Sequence, residues 1–143
     1  YRPRGWESPA AAAEAVALIS PYVTIALPTL EDEAALYGIE APAEVAARWL
    51  KAGAREAVVK CGARGAYFAS ADENDWVRPD ARLEPIDTTG AGDSFNAAYL
   101  ASRLHGRKPI SVAATQGGRL AGVVIMHRGA IVPPAAMREA GLC

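Results

Sequence analysis

The stretch 87-DTTGAGDSFNAAYL-100 decides how the rest of this chain is interpreted. Gly90 and Gly92 flank an alanine, Asp93 follows, and a run typical of a helix begins at once. The first backbone N–H groups of a helix have no intrahelical partner, and the helix dipole makes that end positive. Because no bulky side chain stands in the way, an anion such as phosphate can approach these groups closely. The pattern therefore predicts an anion site at Gly90, Ala91 and Gly92, with a carboxylate beside it.

A carboxylate in this position has a chemical interpretation and a structural one. Asp93 can accept the proton of a hydroxyl that attacks a phosphoryl group. It can equally serve only the helix, since an acid in the first turn suits the dipole. Two better-known phosphate loops are excluded: G-x-x-x-x-G-K-[ST] is absent, and G-x-G-x-x-G would need glycine where Phe95 stands.

Length and composition describe an ordinary globular chain. Its 143 residues and apolar fraction of 51% suit one domain. The net charge of −1 provides no basic field, so neither nucleic acid nor a membrane surface is expected as a partner. Cys61 and Cys143 make no disulfide framework and have no metal-ligand spacing, which favours a cytoplasmic setting. The sequence contains no signal-peptide pattern.

Helix and strand signals alternate along the chain. Helices are predicted over residues 9–19, 30–38, 43–52, 93–105 and 109–127, from caps, stops and apolar spacing. Strands are predicted over residues 22–27, 56–61 and 66–70, with short extended pieces at 76–79 and 82–86. This alternation predicts an α/β layered fold with a largely parallel sheet, closed by the segment 128–134.

The stretch 87–100 closely resembles the C-terminal signature of the PfkB family of carbohydrate kinases, which have the ribokinase-like fold. The resemblance extends over essentially the whole chain, through "YRPRGW" (1–6), "ALPTLEDEAALYG" (26–38), "AVVKCGARGAYF" (57–68) and "RGAIVPP" (128–134). The first of these looks like the tail of a D-x-N-x-R-x-x-L-W segment, with Gly5 where leucine is usual. The spellings "LPTLEDE", "VVKxGxxGAY" and "HRGAIVP" look most like 2-keto-3-deoxygluconate kinases, the sugar-acid branch.

The resemblance implies a fold and an activity. The fold is a three-layer sandwich with a largely parallel sheet, of which residues 1–143 match the C-terminal, nucleotide-binding and catalytic half. The N-terminal half, with the sugar pocket and lid, is expected to be missing. The implied activity is transfer of the γ-phosphate of ATP to a hydroxyl of a sugar or sugar acid, with Mg2+. In that activity Asp93 is the general base, and Gly90, Ala91 and Gly92 form the anion hole.

The resemblance also assigns nucleotide-binding residues. Lys60, Gly62, Arg64 and Gly65 match the turn beside the nucleotide, and Gly118 lies on the small-residue helix that lines the adenine pocket in the family. Structural alternatives stay open. Lys60 can be a strand-end lysine reaching for water, and Arg64 can be a solvent-facing turn residue.

Substrate and metal ligands follow from the same resemblance. Arg2 matches an arginine near the sugar and phosphates, and its planar guanidinium suits a carboxylate. Asp87 and Thr89, with carbonyls near Gly129, match a monovalent cation site for K+, although Asp87 can equally form an Asx-turn with Thr89. The acids at 31–33 can hold Mg2+ through water or simply favour the helix dipole.

Several functions stay open at this point. The favoured one is an ATP-dependent kinase of 2-keto-3-deoxygluconate, and fructokinase or ribokinase activity is an alternative. A nucleotide-binding or interaction module of the same fold, inactive alone, is another. The last is an α/β domain whose glycine loop is incidental. The sequence does not decide whether the chain forms a homo-oligomer.

Overall fold

The computed structural model describes residues 1–139 and 141, and Cys143 lies outside them. These residues form two compact units: unit 1 comprises 1–62 and 66–76, and unit 2 comprises 63–65 and the chain from 77 onward. The α-helices are α1 (Pro9–Ile19), α2 (Leu30–Tyr37), α3 (Pro42–Ala52), α4 (Ala91–Leu100), α5 (Ile110–Val124) and α6 (Pro134–Glu139). The strands are β1 (Ile25–Ala26), β2 (Glu56–Lys60), β3 (Ala66–Ser70) and β4 (Asn74–Val77).

The four strands form one sheet in the order β1-β2-β3-β4. β1 pairs in parallel with β2, whereas β2 and β3 are antiparallel, with Val58 opposite Phe68. The predicted hairpin is therefore confirmed, and its tight turn is a 3-10 turn over Gly62–Arg64. The sheet is mixed, where the sequence predicted a largely parallel one.

The strand predicted at 22–27 is shorter in the structure. Ser20–Tyr22 closes the preceding helix as a 3-10 turn, and only Ile25–Ala26 pair as a strand. Contact with β2 nevertheless continues beyond it, because the Lys60 N–H donates to the Pro28 carbonyl at 2.9 Å. Proline has no N–H to return to the ladder, and beyond Ala26 the pairing is reduced to an isolated bridge between Thr29 and Lys60. This contact fixes the entry to α2 beside the end of β2.

Unit 1 is built around α3 and the hairpin. Val45 and Ala46 are fully buried and Trp49 nearly so, and they pack against the wholly buried Ala57 and Val59 of β2. Burying each large side chain in such a core contributes roughly 1.5–3 kcal/mol. The helix ends where it was predicted to, since the next residue is a glycine with a positive φ of 119°. Cys61 is a buried thiol.

Unit 2 is built on the contact between α4 and α5. Phe95 and Tyr99 stack with ring centroids 6.3 Å apart and are buried. Opposite them, a side chain on Gly117 would come within 3.0 Å of the Phe95 ring, so the two helices approach closely only because this position is glycine. After Leu100 the helix continues as a π-helical turn over Ala101–His105, which agrees with the helix predicted over 93–105.

The last part of unit 2 departs from prediction. α5 ends at Val124, a few residues short of the predicted 127. The segment 128–134 does not close the core, because Ile131 is 92% exposed. α6 was not predicted, since two consecutive prolines suggest a loop, although the second of them is well suited to the first position of a helix.

Candidate active site

The entry to α4 is the central feature of the candidate site. Gly90 is the N-cap residue, with a φ of 79°, a conformation that glycine adopts without strain. The Ala91 N–H donates to the Thr88 carbonyl at 3.2 Å, and the Ser94 N–H donates to the Gly90 carbonyl at 2.9 Å. The amides of Gly92 and Asp93 stand in the first turn, where an α-helix offers them no acceptor of its own. Two donors are therefore available to an anion at this helix end.

Asp93 lies in this first turn, and its side chain is exposed. A carboxylate with this exposure can reach a substrate hydroxyl, while the neighbouring amides face the same end of the helix. The structure thus brings together Gly90, Ala91, Gly92 and Asp93, as the sequence predicted.

Asp87, just before this turn, accepts two backbone hydrogen bonds. The Thr89 N–H donates to Oδ1 at 2.9 Å, which is the predicted Asx-turn. The Gly129 N–H donates to Oδ2 at 2.8 Å, from a loop 42 residues along the chain. The Gly129 amide, the Thr89 hydroxyl and the Thr89 amide, in that order, lower the pKa of Asp87 to about 2. The carboxylate therefore stays ionised throughout the neutral range.

The predicted nucleotide residues of unit 2 occupy turns and a helix surface. The Arg64 carbonyl accepts a hydrogen bond from Arg78 Nη1 at 3.1 Å, and the Arg64 side chain is exposed. Gly65 has a φ of 94°, and a side chain there would collide with the Val77 carbonyl. Gly118 is exposed on α5, with open space where a side chain would be.

A cavity of about 470 Å³ also lies in unit 2, between α4, α5 and α6. Its walls are small and apolar, and they include Ala97, Ala101, Gln116, Leu120 and Met137. Gly118 is not among the lining residues, and α5 borders this cavity through Gln116 and Leu120. Its volume lies in the range of small-molecule sites.

Unit 1 holds the remaining predicted residues. Lys60, half-buried at the end of β2, lines a cavity of about 300 Å³ together with Thr29 and Asp32. Gly62, with a φ of 57°, opens the turn after β2. Arg2 is exposed and lies outside this lining.

The acidic run at 31–33 divides into different roles. Glu33 is only 4% exposed, and its carboxylate accepts hydrogen bonds from Arg48 Nε and Nη2 at 2.7–3.0 Å. Trp49 Nε1 donates to the same carboxylate at 2.8 Å. Arg48 in turn lies over the rings of Tyr37 and Trp49, at 4.1 and 4.7 Å from their centroids. Glu33 therefore has structural partners, Asp32 Oδ2 lies 2.9 Å from the Tyr1 amino group, and Glu31 is exposed.

The residue that sequence reasoning missed is Arg48. Its partner Glu33 was noted only as one of three acids, and the pair is 15 residues apart in sequence. A usable signal was present, because an arginine between apolar positions of a helix needs a partner. Burial of the Tyr37 hydroxyl beside this cluster raises its pKa, against the opposing effect of Arg48.

Two features are absent from the residues that the structure describes. Within 1–139 and 141 no group of three or more His, Cys, Asp or Glu side chains is arranged to hold a metal ion. None of the helices in this part of the chain is long and apolar enough to cross a bilayer.

Comparison with known sequences gives consistent matches. A family model described as pfkB family carbohydrate kinase matches residues 1–136. The 2-dehydro-3-deoxygluconokinase of Escherichia coli K12 is 42% identical over 140 residues, which are 96% of this chain and 45% of that protein. The Haemophilus influenzae 2-dehydro-3-deoxygluconokinase is 39% identical over 139 residues, 96% of this chain and 44% of that protein. The chain thus spans less than half the length of these relatives.

Solved structures support the fold. Aminoimidazole riboside kinase from Salmonella enterica, complexed with aminoimidazole riboside and an ATP analogue, matches with a TM-score of 0.83 at 20% identity. The match covers 98% of this chain and 49% of that one. Fructokinase from Vibrio cholerae O395, with fructose, ADP and calcium bound, matches with a TM-score of 0.82 at 24% identity, covering 97% and 47%. The α/β, ribokinase-like fold predicted from the sequence is confirmed.

Proposed function

Because the chain belongs to the pfkB family of carbohydrate kinases, we propose that it carries the nucleotide-binding and catalytic part of an ATP-dependent sugar kinase. The acceptor that we propose is 2-keto-3-deoxygluconate, also called 2-dehydro-3-deoxygluconate, since the relatives at 39–42% identity over most of the chain carry that activity in their names. The observation that carries the proposal is the entry to α4, where an exposed carboxylate adjoins first-turn amides.

The proposed reaction is an in-line phosphoryl transfer. Asp93 accepts the proton of a primary hydroxyl of the sugar as that oxygen bonds to the γ-phosphorus of ATP. The bond from the γ-phosphorus to the β,γ-bridging oxygen breaks, and ADP leaves with that oxygen. The amides of Gly92 and Asp93, in the turn that Gly90, Ala91 and Gly92 form, stabilise the charge on the transferred group, in the way that oriented backbone donors act elsewhere. Positioning and charge stabilisation supply most of the catalysis in such reactions.

Other residues have proposed binding roles. The nucleotide-binding roles of Lys60, Gly62, Arg64, Gly65 and Gly118 are proposed from the family resemblance. Gly62, with a φ of 57° and open space where a side chain would be, leaves its backbone accessible in the turn after β2. In unit 2 the apolar cavity between α4, α5 and α6 is the proposed seat of the adenine ring.

Arg2 and the acids of α2 complete the proposal. Arg2 would pair with the sugar-acid carboxylate. Mg2+ takes oxygen ligands and usually keeps several waters. Asp32 and Thr29 line the same cavity as Lys60, so their oxygens would be ligands for a hydrated Mg2+, for which Asp32 would have to exchange its pairing with the Tyr1 amino group. When bound, the ion would neutralise charge on the phosphate chain of ATP.

The predicted K+ site fits less well. Each carboxylate oxygen of Asp87 already accepts one backbone N–H group, which takes up part of its capacity as a ligand. The assignment of Asp87 and Thr89 to a monovalent cation therefore stays a prediction, and no step is derived from it.

One alternative has a specific observation in its favour. Since the chain spans 44–45% of its relatives, it could bind nucleotide without turning over a sugar alone. Fructokinase or ribokinase activity would use the same base and anion hole, and shorter matches to enzymes of both names are found.

The test is ADP release from ATP and Mg2+ with 2-keto-3-deoxygluconate, fructose or ribose as acceptor, in parallel with nucleotide binding by calorimetry. We expect turnover of the sugar acid, and a loss of kcat by at least about 10²-fold in Asp93→Asn with ATP affinity nearly intact. Asp72→Asn, at an exposed turn of unit 1, is the matched control and should turn over normally.

Each outcome has a definite meaning. Unchanged turnover in Asp93→Asn would remove Asp93 from its proposed role. ATP binding with no acceptor turned over would establish the binding-module alternative for this chain. No binding of any nucleotide would leave the glycine loop as a structural turn.

A further inference from the structure

Asp87 joins two loops of unit 2 that are far apart in sequence. Its Oδ2 accepts the Gly129 N–H at 2.8 Å, while its Oδ1 accepts the Thr89 N–H at 2.9 Å. The backbone amides of Ile86 and Asp87 also donate to the Ile125 carbonyl, at 2.8 and 3.2 Å. Three hydrogen bonds thus connect the segment before α4 to the loop that follows α5. We call Asp87 with the amides of Thr89 and Gly129 the Asp87 clasp.

The same two loops touch again one residue before α4. Gly90 lies so close to Ala130 that a side chain on Gly90 would come within 2.6 Å of the Ala130 Cβ. Gly90 is also the N-cap residue of α4, and its φ of 79° sets the direction in which the helix leaves the turn. The clasp and this contact together hold the turn at residues 87–90 against the loop at 125–130.

From this geometry we infer that Asp87 is a positioning residue, which holds the first turn of α4 in the orientation that the phosphoryl transfer needs. The inference rests on the proposed function, in which Asp93 is the base and the amides of Gly92 and Asp93 are the anion donors. Asp87 touches none of the reacting atoms. It acts through Thr89 and Gly129, whose amides tie the turn to the loop after α5.

A carboxylate is needed here because both of its oxygens face N–H donors. Asparagine has nearly the same shape but only one oxygen, so its NH2 group must face either the Thr89 or the Gly129 amide. A donor facing a donor leaves a backbone N–H without its acceptor, and at the part-buried bond to Gly129 water can replace that acceptor only in part. Asp87→Asn therefore opens the clasp with little change in volume.

The same substitution separates the clasp from a cation site. An asparagine carbonyl is still an oxygen ligand for K+. If Asp87 served only to ligate K+, Asp87→Asn should be mild, and high K+ should restore its activity. The clasp predicts instead a loss that K+ does not restore, since the missing acceptor belongs to a backbone amide.

The kinetic experiment uses the full chain with ATP, Mg2+ and 2-keto-3-deoxygluconate. For Asp87→Asn we expect kcat to fall by about 10- to 10²-fold, the loss that a small misplacement of reacting groups produces, while KM for ATP changes little. The loss should be the same without KCl and with about 0.3 M KCl, where the screening length falls below ~10 Å. Asp80→Asn is the control, because that exposed acid contacts only Arg119 at 3.6 Å among the residues that the structure describes. Recovery of turnover with KCl, or no loss at all, would overturn the inference.

A second measurement tests the positioning role of Asp87 even if the unmodified chain has no turnover. Backbone amide exchange and chemical shifts, followed by NMR, report on the clasp directly. In Asp87→Asn we expect faster exchange at Gly129 and shifted amides at Gly92 and Asp93, with the middle of α5 unchanged. An inactive parent chain would count against the proposed function alone. Gly129, Gly92 and Asp93 amides identical to those of the parent would overturn the positioning role.

Discussion

Replacement of Arg48 by methionine should cost unit 1 about 3 kcal/mol of stability. The substitution removes the positive charge but keeps most of the side-chain volume. The guanidinium now lies over the rings of Tyr37 and Trp49, and a methionine side chain would still cover them. What it removes is the partner of Glu33, a carboxylate that is only 4% exposed. The buried charge then retains one donor, Trp49 Nε1.

The magnitude follows from this geometry. Breaking a buried ion pair by removing one partner costs about 3–5 kcal/mol, because an uncompensated charge stays behind. Arg48 keeps 24% of its side chain exposed, so water can partly replace it, and the lower end of that range is expected. The double variant Glu33→Gln with Arg48→Met removes both charges and keeps an acceptor for Trp49. It should recover about 2 kcal/mol relative to Arg48→Met, because replacing a whole buried pair is often neutral.

The assay is urea unfolding followed by tryptophan fluorescence. The chain has three tryptophans, Trp6, Trp49 and Trp76, and all lie in unit 1, so the signal reports on that unit. Midpoints compared at equal m-values give the change in free energy of unfolding. Arg55→Met, at an exposed position of the same unit, should stay within about 0.5 kcal/mol of the parent. A cost below about 1 kcal/mol for Arg48→Met, or a double variant no more stable than the single one, would refute the reasoning.

Two further predictions concern unit 2. Gly90→Ala should lower the stability of unit 2 by about 1–2 kcal/mol, since alanine is strained at a φ of 79° and its Cβ would meet Ala130. Gly118→Ala, in open space on a helix, should raise the stability by about 0.5–1 kcal/mol. Thermal melting followed by circular dichroism should therefore show Tm shifts of opposite sign, and equal Tm shifts would contradict this account. Asp87 has a pKa of about 2 against an ordinary value of 3.8, so its contribution is complete above about pH 4 and is lost as the pH falls toward 2. The difference in Tm between the parent and Asp87→Asn should narrow over that interval, and a constant difference down to pH 2 would show that the ionised carboxylate is not what stabilises the turn.

Much of the fold could be predicted because its signals are local. Ser8 caps α1 through its hydroxyl, which accepts the Ala11 N–H at 3.1 Å, and Gly38 and Gly53 end their helices with positive φ. These residues act on their own neighbours, so the sequence carries the information directly. The turn at Gly90 is a local signal of the same kind, because it depends on the residue at that position.

The departures arise where distant segments meet. The extent of β1 depends on which of its residues find partners in β2, and the buried pair of Glu33 with Arg48 joins two helices. The loop near Gly129 was expected to offer carbonyls to a cation at Asp87, but its N–H group is what meets the carboxylate. Neither a long-range pairing nor the direction of a peptide plane is encoded in spacing along the chain.

Gly117 has a consequence for the rotation of α4 about its own axis. An α-helix turns by about 100° per residue, so side chains two positions apart, such as those of Asp93 and Phe95, project about 200° apart. The Phe95 ring fills the space that the missing side chain of Gly117 leaves in α5. This packing fixes the rotation of α4 about its axis. A roll by one residue would swing Asp93 through about 100° and take its carboxylate away from the open side of the helix. Gly117 thus helps to orient the carboxylate of Asp93, although the two residues are not in contact.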